Sequence, residues 1–314
     1  LPIFGYQSLY ANTTGISNTA IGYQALNANT TSNGGTAVGD RAMFKNTGAN
    51  NTAVGYLAMY NNTTDINNNA FGASDAGIGT ALQSNTTGSN NNAFGNGALT
   101  SNTTGGNNCA FGFQALAYNN ASNNTGVGYQ ALYANTSGTS NVALGYYALG
   151  GNTTGGSNTA VGHYAFCSNT TGTNTGVGYN VGYSTTTGSN NVAMGYQSLY
   201  SNTTGNYNIA IGYFAQYAST TASNNVGIGY QSLYSVTTAN SITAVGYRAG
   251  FSNTTGAQCV YIGQLSGQSH TTGFNSIYIG DENTASSGSA QNEIVLGQGL
   301  TGNGSSYEIG RAHV

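Results

Sequence analysis

The stretch Asn191–Gly205, NVAMGYQSLYSNTTG, decides how this chain is read. It joins a β-like run, Val192-Ala193-Met194-Gly195-Tyr196, to a second run at Ser198-Leu199-Tyr200 and a polar turn, Asn202-Thr203-Thr204-Gly205. Variants of the unit fill nearly the whole sequence. Indexed by the central glycine they fall at Gly5, Gly22, Gly39, Gly55, Gly72, Gly95, Gly112, Gly128, Gly145, Gly162, Gly178, Gly195, Gly212, Gly229, Gly246, Gly263, Gly280 and Gly297. Nearly every step is 17 residues, and the exceptions are a few of 16 and one of 23. A fixed short period of this kind is the signature of a repeat architecture.

The residue before each glycine is apolar in every unit, as in Ile21, Val54, Phe94, Met194 and Ile262. A disordered polar tract has no reason to hold such a register, so disorder is excluded in spite of the Gly, Asn, Ser and Thr content. Two residues before the glycine almost always stands Ala or Gly, giving way to Tyr261, Tyr278 and Val295 in the last units. This alternation of period two predicts a strand with a bulky face and a small-residue face. On size, Met194 is expected inward and Ala193 toward a close neighbour. Leu or another apolar residue four places after the glycine (Leu26, Met43, Met59, Leu99, Leu199, Leu233) predicts a second short strand.

A 17-residue unit is too small to bury its own apolar side, but stacking places each row on the next. The expected fold is therefore all-β: a parallel β-solenoid (β-roll) of about 17 coils, one repeat per coil, spanning residues 1–304 as a single array. At roughly 4.8 Å per coil it would form a rod on the order of 80 Å long. Asn four places before the glycine (Asn18, Asn51, Asn91, Asn158, Asn191, Asn208) would stack as an amide ladder. Length changes fall in turns, with Asn46-Thr47-Gly48 shortened and extra residues around Ala76 to Leu82. The turn residues accept left-handed backbone, and Asn and Thr can bond local backbone groups. The Ala/Gly stripe allows two readings, tight packing within one coil or three chains meeting along it.

Composition narrows function by exclusion. Only 4% of residues are charged, with four Lys or Arg against seven Asp or Glu. Arg41, Lys45, Arg248 and Arg311 are too few and scattered to neutralise a phosphate backbone, which argues against a nucleic-acid partner. No apolar run approaches the roughly 18 residues of a membrane helix, so no membrane insertion is expected. Cys109, Cys167 and Cys259 lack paired spacing and read as buried thiols, with no disulfide ladder or metal site.

Enzyme chemistry finds no foothold. The acids are Asp40, Asp65, Asp75, Asp281, Glu282, Glu293 and Glu308, and the adjacent Asp281-Glu282 would face opposite ways on a strand. His163, His270 and His313 fall in unrelated places, and no catalytic, cofactor or metal set is assembled. Tyrosine, 24 in number, is the enriched candidate for recognition. One row follows the glycine (Tyr6, Tyr23, Tyr196, Tyr213) and, by parity, should plug a corner of the coil. A second row, Tyr10, Tyr60, Tyr133, Tyr183, Tyr200, Tyr217 and Tyr234, should lie outside. It reads either as a supporting aromatic ladder or as a platform for sugar rings or a receptor.

The segments Asn18-Thr-Ala-Ile-Gly22, Asn51-Thr-Ala-Val-Gly55 and Asn208-Ile-Ala-Ile-Gly212 resemble the head repeats of trimeric autotransporter adhesins. The longer form, with Gly-Tyr-Gln-Ala-Leu and Asn-Thr-Thr-Gly, is similar to repeats in bacteriophage tail fibres. The resemblance covers roughly residues 3 to 304. It implies a left-handed, trimeric β-roll outside the cell, as a virion tail-fibre shaft supporting host attachment, with a cell-surface glycan or receptor as partner. A bacterial or archaeal surface adhesin is the alternative, and an ice-binding solenoid a remote one. The period is longer than in the adhesin heads, and no coiled-coil neck, anchor barrel or chaperone domain is found. Residues 305–314 form a tail in which EIGRAHV, Glu308–Val314, resembles translated sequencing adapter, as in a metagenomic fragment. With a first residue already inside a repeat, the natural N-terminus is expected upstream.

Overall fold

The structure, a computed structural model, describes residues 3–73 and 78–304. Asp75, Ala76 and the tail 305–314, with Glu308, Arg311 and His313, lie outside the described residues. The chain is an all-β parallel β-solenoid with one short strand per repeat, and no helix occurs among the described residues. It divides into two compact units, residues 1–158 and 159–314.

The first unit holds β1 (Ile3–Phe4), β2 (Thr19–Ile21), β3 (Thr36–Val38), β4 (Thr52–Val54), β5 (Asn69–Phe71), β6 (Asn92–Phe94), β7 (Cys109–Phe111), β8 (Thr125–Val127) and β9 (Val142–Leu144). The second holds β10 (Thr159–Val161), β11 (Asn174–Val177), β12 (Asn191–Met194), β13 (Ile209–Ile211), β14 (Val226–Ile228), β15 (Thr243–Val245), β16 (Val260–Ile262), β17 (Ile277–Ile279) and β18 (Ile294–Leu296). Within each unit, consecutive strands pair in parallel and in repeat register, as with Ala193 opposite Ala210 and Met194 opposite Ile211. The 23-residue step is absorbed without a slip: Ala70 still pairs with Ala93.

The facing of the strand is the reverse of the expectation. Ala193 is fully buried and Met194 is 42% exposed, and the same holds for Ala210 against Ile211 and Ala110 against Phe111. Volume decides this, not hydrophobicity. The coil encloses a narrow interior filled by the strand Ala, the Ala three places after the glycine and the Leu after that: Ala193, Ala215 and Leu199 are all fully buried. No room remains for a second large side chain. Compensating changes show how tight the limit is. Phe166 takes a Leu slot, and its neighbours are Gly176, where a Cβ would sit 2.5 Å from the ring, and Gly182, in the next Leu slot. Tyr261 takes an Ala slot and lies between Gly250 and Gly267. Total core volume is conserved, as close packing requires.

The expected second strand is a run of turns. Gln197 and Leu199 both have φ of 50–54°, and the same two places are left-handed in nearly every coil. The segment still bonds to the next coil at alternate residues, with Leu199 N–H donating to Ala215 O at 3.0 Å and Ser201 N–H to Tyr217 O at 3.1 Å. Leucine regularity there reflects a buried corner residue, held left-handed at a cost of about 1–2 kcal/mol, which burial of its side chain offsets.

The predicted Asn ladder is present and buried. Asn208 N–H donates to Asn191 Oδ1 at 2.9 Å, and Asn208 Nδ2 donates to Ala222 O at 2.8 Å, so each amide closes one coil and ties it to the previous one. A second ladder, unforeseen, runs through the first residue of the Asn-Thr-Thr-Gly turn. Asn102, Asn135, Asn152 and Asn202 are fully buried, with Asn152 Nδ2 donating to Asn135 Oδ1 at 2.9 Å. That turn therefore aims its Asn inward and only its second Thr, as Thr204, at solvent. The extra residues of the long coil are also displaced from the expected position, because Ala81 and Leu82 occupy regular core slots.

Candidate functional site

The inward Ala/Gly stripe removes one surface from consideration. Ala20, Ala53, Ala160, Ala193 and Ala244 are fully buried inside their own coils, so the stripe supports packing within one coil and offers no face to other chains. What the strands present outward is apolar and bulky: Phe111, Leu144, Met194, Val245, Ile262 and Ile279 are each 37–47% exposed.

The tyrosine row after the glycine borders that face, and it does not plug a corner. Tyr196, Tyr213, Tyr230 and Tyr247 are exposed, with ring centroids 5.1–5.4 Å apart and planes within 11°. In the second row Tyr10 is exposed, while Tyr60, Tyr133, Tyr183, Tyr200, Tyr217 and Tyr234 are half-buried. Tyr183, Tyr200, Tyr217, Tyr234 and Phe251 stack at 5.2–5.3 Å. Tyr60 stacks on Phe44 at 5.3 Å, and Tyr133 meets Tyr118 edge-on. In the second unit the ring faces are thus turned on one another along the stack. Solvent meets ring edges and phenol oxygens, and a sugar ring finds no open face within such a row. His163 fills a tyrosine slot and stacks on Tyr179 at 5.0 Å, a position evident only when the sequence is read modulo the repeat.

The first threonine of the turn has its hydroxyl occupied. Thr203 Oγ1 donates to Thr220 O at 3.0 Å, and Thr220 Oγ1 to Thr237 O at 3.1 Å.

Titratable groups converge in the last coils, where sequence reading saw only scatter. His270 occupies a slot of the turn-Asn ladder and Glu293 a slot of the strand-Asn ladder, both fully buried. Asn253 Nδ2 donates to Tyr261 Oη at 2.7 Å, Tyr261 Oη lies 2.6 Å from His270 Nδ1, and His270 Nε2 lies 2.8 Å from Ala290 O. A carbonyl only accepts, so Nε2 carries the proton and Nδ1 accepts from the tyrosine. Burial lowers the His270 pKa and raises that of Tyr261, keeping both neutral. Tyr278 donates to Glu293 Oε2 at 2.7 Å, and the backbone N–H groups of Ser286 and Gly304 donate to the same carboxylate. Burial pushes the Glu293 carboxyl up, but these hydrogen bonds outweigh it and the pKa is lowered. Tyr278, buried against the carboxylate, is raised. The network is closed to solvent, and of its groups Asn253 Oδ1 is buried without a hydrogen-bond partner among the described residues, which suits a plug for the core and gives a substrate no access.

Elsewhere the acids are dispersed. Asp281 and Glu282 lie in the turn after β17, with Glu282 at φ 54°, and are not on a strand. Asp65 is buried beside Asn62 and Asn85, and burial pushes its carboxyl up to about 7. All three cysteines are free; Cys167 and Cys259 are buried and Cys109 is half-buried. No group of three or more His, Cys, Asp or Glu that could hold a metal ion occurs among the described residues. No helix among them is long and apolar enough to cross a membrane.

Fold and surface together define a parallel β-solenoid repeat protein whose regular outer face is apolar and aromatic. No protein family, curated protein or solved structure matches the chain.

Proposed function

We propose that the chain is the shaft of an extracellular attachment fibre, of the phage tail-fibre kind, and that its copies associate side by side as a homotrimer. The supporting observation is the outward strand face. In the second unit, apolar residues such as Val177, Met194 and Ile262 stand in line with stacked tyrosines, coil after coil, with scarcely a charge among them. Monomers rarely leave contiguous apolar patches of more than a few hundred Å² uncovered. The contact between chains belongs to this face, since the Ala/Gly stripe is used up inside the coil. A cell-surface adhesin would use the same architecture for the same mechanical purpose, holding a binding tip at a distance.

Light scattering coupled to size exclusion tests the proposal. The expected mass is three times the 31.8 kDa of one chain. Replacing outward residues, as in Met194→Asp with Ile211→Asp, should dissociate the assembly and leave each solenoid folded. A wild-type protein that stays monomeric at high concentration would refute the reading.

A further inference from the structure

In the first unit the 23-residue step interrupts the repeat, and there a groove of about 500 Å³ opens. Its lining includes Tyr56, Ile78, Gln83, Thr100, Gln114 and Tyr118, none of them charged. The volume falls in the range of about 300–1,000 Å³ typical of small-molecule sites.

Three features bear on what this place could bind. First, its aromatic rings are not stacked away. In the tyrosine row the coils on either side of Tyr56 carry Asp40 and Ala73, and Tyr56 has no ring partner among the described residues. Among the described residues Tyr118 meets the ring of Tyr133 alone, edge-on at 80°, and it is 51% exposed, so its own ring is not covered face to face by them. Second, its amides are left with unused donors. Where two successive coils carry glutamine two places after the glycine, the pair bonds from coil to coil, as Gln24 Nε2 does to Gln7 Oε1 at 2.8 Å. Gln114 accepts from Gln130 on one side at 2.8 Å, but the coil on its other side has Gly97 in that slot, so Gln114 Nε2 has no acceptor among the described residues. Gln83 uses its Oε1 for the Thr80 N–H, at 3.3 Å, and its Nε2 likewise has no partner among the described residues. Third, the hydroxyl of Thr100 has no hydrogen-bond partner among the described residues, unlike that of the first threonine in the turns, such as Thr86.

We infer that this groove binds a neutral saccharide, one sugar ring resting on an open tyrosine face while its hydroxyls meet the amides of Gln83 and Gln114. The chemistry selects the class. An anion would want a cation that the lining lacks, and an apolar ligand would strand the amide donors. A sugar has an apolar C–H face and a rim of hydroxyls that donate and accept, matching both kinds of group present. The inference goes beyond the shaft reading: a shaft needs no groove, and the oligomer mass is measured independently of sugar binding.

The test is calorimetric titration of the full chain with maltotriose, cellotriose and chitotriose, followed by saturation-transfer NMR to find which protons touch aromatic rings. At least one should bind with a dissociation constant on the order of 1 mM, as befits a shallow site. Tyr56→Ala or Tyr118→Ala should weaken that binding about tenfold, the scale of one aromatic contact. Gln114→Leu, which leaves both rings in place, should weaken it as well, whereas Tyr217→Ala in the stacked row should leave it unchanged. No binding of any of the three, or binding that survives Tyr56→Ala and Tyr118→Ala undiminished, would overturn the assignment.

Discussion

Replacing Gly195 by alanine probes the closeness of neighbouring coils where the structure is least forgiving. Gly195 has φ of +127°, a region that side-chain-bearing residues hold only under strain, and a Cβ there would lie 2.5 Å from Gly212 O and 2.8 Å from its carbonyl carbon. The backbone strain is about 1–3 kcal/mol. Relief of the clash requires the coils to part, which loosens the bond from Gly212 N–H to Met194 O at 2.7 Å and that from Phe214 N–H to Tyr196 O at 3.0 Å. Each contributes about 1 kcal/mol net. Gly195→Ala should therefore destabilise the second unit by roughly 3–5 kcal/mol, against less than about 0.5 kcal/mol for the exposed Thr204→Ala. Stacked repeats can open locally, so the assay is native-state hydrogen exchange read by peptide, with urea unfolding beside it. Protection should fall first in the coils on either side of Gly195. A loss below about 1 kcal/mol, with unchanged exchange at Met194–Phe214, would refute the close approach of the two backbones.

Facing is tested by a pair of substitutions: Ala193→Leu should cost about 1–3 kcal/mol by overpacking the coil, while Met194→Thr on the outer face should change unfolding of the separated chain by less than about 1 kcal/mol. Acid should affect the units in opposite directions. The Asp65 carboxyl is raised from 3.8 to about 7 by burial, so its contribution is full below pH 4 and is lost as the pH rises through 7. That is worth up to about 4 kcal/mol, or about half after solvent screening, and Asp65→Asn should flatten exchange in the first unit between pH 5 and 8. His270 has its pKa lowered by burial, so its contribution is full above about 6.5, the ordinary value, and is lost as the pH falls below it. The final coils of the second unit should accordingly loosen on acidification, and His270→Asn, which restores the ladder residue, should remove that dependence as followed by exchange at residues 253–290.

The sequence carries the period, the parallel stacking and the strand-Asn ladder openly, because each is a spacing and spacing survives in one dimension. Facing is less accessible. The alternation of Ala193 and Met194 is plain, but which of them points inward depends on the width of the coil, and hydrophobicity points to the wrong side. Leu199 misleads for a related reason: a buried corner residue in left-handed turns repeats as regularly as a strand residue does. The turn Asn202 has the composition of a solvent loop, and only the closed coil shows it inside. His270 and Glu293 look scattered along the chain, yet each stands in a ladder slot once residues are counted modulo the repeat. The groove beside Tyr56 could be anticipated only as a break in period, since the open ring face and unpaired amides arise from what neighbouring coils lack.

Distance between equivalent positions one and two periods apart tests the solenoid most directly. Spin labels at cysteines replacing Thr204 and Thr221, or Thr204 and Thr238, all exposed at the same place in the repeat, would report it in a chain whose Cys109, Cys167 and Cys259 are changed to serine. Backbone separations of about 5 Å and about 10 Å are expected, giving strong dipolar broadening for the first pair and weaker broadening for the second, with none in singly labelled controls. Spectra of both pairs indistinguishable from the singly labelled controls would contradict the account.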